Sequence, residues 1–296
     1  MYSFKISINF IENQYFHILK SKSSTSMTRP IFILSSGRSG SQMMERLISQ
    51  YNDVEVHHEY LCNIIQPLAT KYVMGLVDKK TVRDIISSTY SASLKYSKKS
   101  IWVDSSNKIS WLIKPLKEIF SDAKFIHLIR DGRRVTSSYF NKLNDECYKP
   151  ECVRILYDSI YNDKDTPPPE KKYWWPILKY KGKESNFMKL NQYEQICVHW
   201  SEINNYINNE LSGFGKSESI QIKLEELTQS IDVFRDLINF IELPYRPAFF
   251  ETLKTPHNVN IPKSFSLNAN QEESFWKISK ETMDFFNYLD KEDYEV

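Results

Sequence analysis

The segment 30–42, PIFILSSGRSGSQ, constrains this chain more than any other, because an apolar run stops abruptly in a turn of small residues that holds one arginine. Ile31, Phe32, Ile33 and Leu34 form the short continuous apolar run of a strand covered on both faces, as in a parallel sheet. Met43, Met44, Leu47 and Ile48 follow at helical spacing. Strand, Ser/Gly turn and helix in that order bring free backbone N–H groups and the positive end of a helix dipole to one point, which attracts an anion. The chain has only 7 glycines. Two of them, Gly37 and Gly40, fall in this turn, where the backbone must bend tightly and approach a ligand.

The nucleotide-triphosphate pattern G-x-x-x-x-G-K-[ST] is not met: Ser35 stands five residues before Gly40, and Ser41 and Gln42 follow it. In place of the lysine the loop offers Arg38, with Ser39 and Ser41 as further hydroxyl donors, a set suited to a phosphate held without a metal. A Ser/Gly turn between strand and helix also occurs as a plain connector, so the loop alone leaves both readings open. A second segment, 123–140, AKFIHLIRDGRRVTSSYF, repeats the arrangement. Its apolar strand 125–129 ends at Arg130, and Ser138 follows eight residues later, about two helical turns in, a spacing expected to bring its hydroxyl beside the guanidinium. Arginine suits phosphate because its planar fork makes two charge-assisted hydrogen bonds. By itself this is also an ordinary helix start, with Asp131 facing the dipole and Arg130 paired to a carboxylate.

Together the two segments resemble the sulfotransferase family, which uses 3′-phosphoadenosine 5′-phosphosulfate (PAPS). Ser36, Gly37, Arg38, Ser39, Gly40, Ser41 and Gln42 resemble its 5′-phosphosulfate loop, and Arg130 with Ser138 resemble its 3′-phosphate motif. Gly132 departs from the proline of many members and leaves both motif residues in place. The resemblance also implies a general base at the end of the second strand, where the chain reads VEVHHEYL over 54–61. Carbohydrate and tyrosyl members use a glutamate in a similar short motif, so Glu59 is the first choice and His58 the second. Strand alternation would put His57 and Glu59 on one face and His58 on the other. Adjacent histidines point apart on a strand, and no further His/Cys cluster completes a metal site, so no metal is expected.

The implied enzyme is a PAPS-dependent sulfotransferase: Glu59 or His58 accepts the proton of an acceptor hydroxyl, and Arg38 with the loop N–H groups holds charge on the departing 5′-phosphate. The acceptor expected is a small molecule or carbohydrate, with a glycolipid included. Alternatives are an ATP-dependent small-molecule kinase and a non-catalytic binder of adenosine bisphosphate.

Composition agrees with a globular enzyme. The 296 residues are 41% hydrophobic and 14% aromatic, enough for a full core in one large domain. A formal net charge of +2 gives no reason to invoke nucleic acid. The positive charge of interest is local, at Arg38, Arg130, Arg133 and Arg134, while Lys98–Lys99 and Lys171–Lys172 read as solvated pairs. Cys62, Cys147, Cys152 and Cys197 lack CxxC spacing, and free thiols are expected, with Cys147 and Cys152 the one pair able to close a loop. The apolar patch 4–11 is short and interrupted by polar residues, which predicts neither a membrane span nor a cleaved signal and gives a cytoplasmic expectation.

The alternation of elements predicts an α/β fold in three layers, a central, mostly parallel sheet flanked by helices with the phosphosulfate loop after its first strand. Residues 1–28 read as an N-terminal extension and 29–296 as a single domain. Helices are expected over 80–96, 109–120, 187–211, 231–241 and 271–289, and strands over 101–104 and 219–224. Segment 148–182, with three successive prolines and Trp174-Trp175, reads as an irregular excursion able to cover an acceptor pocket. Ser106 and Asn107 are either acceptor-site residues or a helix cap. LEEL, 224–227, resembles the family's acidic turn, and Lys263, in a polar loop, is a candidate for the 3′-phosphate.

Overall fold

The computed structural model describes residues 28–254 and 266–289. The patch 4–11 and Lys263 lie outside them. Among the described residues five strands form one sheet: β1 (Arg29–Leu34), β2 (Val54–His58), β3 (Ile101–Ser105), β4 (Lys124–Ile129) and β5 (Ser219–Lys223). All neighbours pair in parallel, in the order β2-β3-β1-β4-β5. The strand that comes first among the described residues is therefore the central one. From β1 the chain goes out to β2 and β3 on one side and then returns to build β4 and β5 on the other, so a switch point lies at the C-terminal end of β1.

Successive side chains of the strands alternate between two cores, which explains why residues 31–34 of β1 are uninterruptedly apolar. Phe32, Leu34, Trp102, Phe125 and Ile129 enter one core. Ile31, Ile33, Val103, Ile126 and Leu128 enter the other, against Met44, Leu47 and Ile48 of α1 (Ser41–Ile48). The first core is the larger. It holds α2 (Cys62–Val73), α3 (Lys79–Tyr96), α4 (Ile113–Ile119) and α5 (Gly132–Lys142), and the buried rings of Tyr148, Trp174, Trp175 and Trp200. Each fully buried aliphatic or phenyl side chain stabilises the fold by about 1.5–3 kcal/mol.

The excursion contains more regular structure than its composition suggested. It opens with α6 (Pro150–Tyr161), whose proline occupies the first helical position, where a missing N–H costs nothing. It closes on a single 3₁₀ turn, Lys171–Tyr173. The expected helix over 187–211 is split into α7 (Glu184–Phe187) and α8 (Gln192–Leu211). Asn191 divides them because its side chain accepts from the Glu194 N–H while Glu194 reaches back to the Asn191 N–H, a reciprocal cap worth about 1 kcal/mol. LEEL is itself the start of a helix, α9 (Leu224–Gln229), followed by α10 (Ile231–Ile241), α11 (Phe250–Lys254) and α12 (Ala269–Phe285). The four cysteines are free thiols. No helix among the described residues is long and apolar enough to cross a membrane.

Candidate active site

The loop between β1 and α1 sits at the switch point and is held from three sides. Ser35 donates its N–H to Ser110 Oγ at 3.0 Å and receives that hydroxyl on its carbonyl at 3.0 Å. Tyr139, on α5, donates its hydroxyl to the Ser36 carbonyl at 2.8 Å and receives Asn107 Nδ2 at 3.3 Å. Ser39 Oγ turns inward to the Gly37 carbonyl at 3.0 Å and lies 3.2 Å from Ser36 Oγ. The hydroxyls of Ser36 and Ser39 are thus buried in the loop's own scaffold.

Gly37, Arg38 and Gly40 all adopt left-handed backbone, with φ of 85°, 54° and 95°. Such a run turns successive N–H groups toward one side, the form of an anion-binding concavity. Gly40 is the N-cap of α1 and supplies no side chain to it, and the first turn of α1 contains no acidic residue. The helix start is therefore left open to an external anion. Ser41 begins α1, with its hydroxyl 3.1 Å from His58 Nε2, and Gln42 lies exposed on the same turn.

Arg38 and Arg130 meet at this point. Arg130 Nη1 donates to the Arg38 carbonyl at 3.0 Å, and Arg38 Nε donates to Ser138 Oγ at 2.9 Å. The hydroxyl expected beside Arg130 is thus bonded to Arg38, because the left-handed turn at Arg38 swings its side chain across to α5. Among the described residues neither arginine has a carboxylate within ion-pair distance. The carboxylate that acts most on Arg130 is Glu225, whose oxygens are already used by the Asp131 N–H at 3.0 Å and the Tyr288 hydroxyl at 2.9 Å. Burial pushes the Arg130 guanidinium below its ordinary range; Glu225 opposes the shift and Arg134 and Arg38 add to it. Arg133, by contrast, is buried against Asp131 at 2.6 Å and takes no part.

On the β2 side, strand alternation fails at the decisive residue. β2 ends at His58, and Glu59 turns into left-handed backbone with φ of 55°. His57 packs between Trp102 and Tyr60, each 4.9 Å away, and bonds Glu55, so it faces away from the loop. Glu59 instead meets two lysines, Lys108 at 3.9 Å and Lys171 in a direct hydrogen-bonded ion pair. Burial raises the Glu59 carboxyl, yet Lys108 and Lys171 together outweigh it and hold the group below its usual range. Burial lowers the His58 imidazole, and Lys171 and Lys108 lower it further against Glu59 and Glu45. A neutral His58 beside Ser41 and an ionised Glu59 follow at neutral pH.

Sequence reasoning missed Lys108, which follows the flagged Ser106-Asn107 pair. Its side chain is only 7% exposed, and its ammonium lies over the Trp175 ring at 4.7 Å from the centroid. Trp175 is therefore a floor for this cation. Ser106 Oγ accepts the Lys108 N–H at 3.1 Å, which resolves Ser106 as a turn cap. Lys171 stays partly exposed but is committed to Glu59 rather than being a free surface charge. Nothing local in its Lys-Lys context marks it, since the partner is distant in sequence.

Asp104 supports the same turn. Fully buried at the end of β3, it accepts the Tyr60 N–H at 3.2 Å and the Tyr90 hydroxyl at 3.0 Å. Burial pushes its carboxyl up to about 7; the two hydrogen bonds oppose the rise and Glu59 adds to it. A raised carboxyl binds its proton more tightly folded than unfolded, so this stabilisation is complete below the unfolded value near 4 and is lost as pH rises through about 7. Asp104→Asn, a mimic of the protonated form, is expected to gain stability relative to the parent between pH 5 and pH 8. Urea denaturation at both values measures this, and a difference independent of pH would refute it.

A family model described as the sulfotransferase family matches residues 30–151, the stretch that contains the loop, Glu59, Lys108, Arg130 and Ser138. No curated protein matches the chain. Among solved structures, sulfotransferase STF9 from Mycobacterium avium is similar at 14% identity and a TM-score of 0.50, over 94% of this chain and 81% of that one. The sulfotransferase domain of the curacin biosynthetic pathway shares 14% identity, with a TM-score of 0.48 over 89% of this chain and 99% of that one. The sulfotransferase domain of the Synechococcus PCC 7002 olefin synthase shares 16%, with a TM-score of 0.45 over 88% and 97%. At this identity the likeness to STF9 speaks for the shared α/β fold. The match to the sulfotransferase family lies on the very segments that build this loop and its flanking arginines, so residues 30–151 are similar to that family.

Proposed function

We propose that the protein transfers a sulfonyl group from PAPS to the hydroxyl of a carbohydrate or glycolipid acceptor. The observation that carries this reading is the pair of arginines, Arg38 and Arg130, without ion-paired carboxylates among the described residues, at a helix start that no side chain caps. These residues fit a ligand with two phosphate groups. Ser36, Gly37, Arg38, Ser39, Gly40, Ser41 and Gln42 surround the 5′ end, where N–H groups and one guanidinium face developing negative charge. Arg130, just before α5, holds the 3′-phosphate together with Ser138 of α5, whose hydroxyl receives Arg38 Nε. Lys263 belongs to this proposal as a further 3′ contact. When bound, PAPS supplies a sulfonyl group activated by its 5′-phosphate.

Glu59 takes the proton of the acceptor hydroxyl as that oxygen bonds to sulfur and the bond from sulfur to the 5′-phosphate oxygen breaks. Lys108, held on Trp175 beside Glu59, neutralises negative charge on the moving group. His58 is the second candidate for the base, but its Nε2 is engaged by Ser41. A glutamate rather than a histidine at this place supports a carbohydrate-type acceptor.

Calorimetric titration with adenosine 3′,5′-bisphosphate, AMP and ATP, without magnesium, tests the donor half. The bisphosphate is expected to bind best, and Arg130→Ala to weaken it about 10- to 150-fold, the loss of one hydrogen bond to a charged group at about 1.5–3 kcal/mol. Equal binding of AMP, or binding of ATP only with magnesium, would return the kinase reading.

A further inference from the structure

Two ammonium groups converge on Glu59, and the reaction above uses one. Lys108 is buried under Trp175 and is fixed there. Lys171 is different: its side chain is 41% exposed, while its backbone is anchored. Gln66 Nε2, on α2, donates to the carbonyls of Lys171 at 3.1 Å and Trp174 at 2.8 Å. An anchored base with a half-open tip is the form of a recognition group. Among the described residues two cations, Lys108 and Lys171, lie within ion-pair distance of one anion, Glu59, with a neutral His58 beside it, and Glu146 acts on Lys171 only from farther away. The acceptor side therefore has one positive charge in excess. The same lysine also holds the Glu59 carboxyl low, which weakens it as a base, since proton abstraction is most efficient when the base's pKa is near the working pH. A ligand that drew Lys171 off Glu59 would satisfy the excess charge and strengthen the base together.

We propose that Lys171 selects acceptors with a carboxylate next to the reacting hydroxyl, as in a uronic acid, by exchanging its ion-pair partner from Glu59 to the acceptor. This rests on the reading of Glu59 as the base on the acceptor side. The probes are p-nitrophenyl β-D-glucuronide and p-nitrophenyl β-D-glucoside, which differ in one carboxylate, titrated into the full chain saturated with adenosine 3′,5′-bisphosphate. The glucuronide is expected to bind about tenfold tighter, consistent with one charge-assisted contact. Lys171→Met should abolish that preference and leave bisphosphate affinity unchanged, and Lys171→Arg should retain it. Equal binding of the two probes, binding of neither, or a preference that survives Lys171→Met would overturn the proposal. Failure of the bisphosphate itself to bind would instead remove the donor site, and with it the function proposed above.

Discussion

Glu59→Gln is expected to lower sulfonyl transfer about 10²- to 10⁴-fold, the range that a positioned general base contributes, while bisphosphate affinity stays within about twofold. The substitution keeps the volume of the side chain and removes its capacity to take a proton. It also leaves Lys108 and Lys171 facing a neutral amide, so two cations lose their common partner in a corner where Lys108 is buried. Some loss of stability accompanies the loss of rate, and the binding measurement separates the two. Single-turnover assays of parent and variant, each with its bisphosphate titration, decide the matter. Full turnover in Glu59→Gln would pass the role to His58, and His58→Ala would then be the impaired variant.

Gly37→Ala is expected to abolish donor binding and to destabilise the fold by about 2–4 kcal/mol, a combination of left-handed backbone strain and overpacking. A Cβ at position 37 would fall on the Tyr139 hydroxyl and crowd Asn107 Nδ2 at 2.8 Å. Neither can give way cheaply, because Tyr139 is buried and its hydroxyl is committed to the Ser36 carbonyl. Relief must come from the loop, the part proposed to present N–H groups to the donor. The double variant Gly37→Ala/Tyr139→Phe removes the oxygen and should regain part of the stability in thermal unfolding. An alanine variant with parental stability and affinity would show that the loop is not closely packed on Tyr139.

The sheet and the Ser/Gly loop that follows β1 were legible because their signals are local. An apolar run bounded by Ser-Ser, two glycines and then helical periodicity is a strand, a turn and a helix within twenty residues, and β1 and α1 follow that order. The same holds for β4 and α5. The corner around Glu59 was less legible because it depends on contacts between segments far apart in the chain. Lys171 is separated from Glu59 by 112 residues, and its pair with Lys172 looks like any surface doublet. The orientation of Glu59 escaped for a different reason: period-two alternation holds only inside a strand, and β2 stops one residue earlier. Similarly, the eight-residue spacing placed Ser138 near the arginines, but the backbone angle at Arg38 decided which guanidinium received it.

Synthesis from the N-terminus gives the central position of β1 a kinetic consequence. Its partners are β3, beginning at Ile101, and β4, which pairs with it from Lys124. At about 5–20 residues per second, the ribosome takes roughly 4–14 s after Arg29 emerges to deliver Ile101, and longer to deliver the second neighbour. During that interval the most apolar strand has two unpaired edges, the condition under which nascent chains associate wrongly. Arg29 and Pro30 at its start and the Ser35-Ser36 pair at its end are then gatekeepers, limiting intermolecular strand pairing before the loop they border has any ligand to hold.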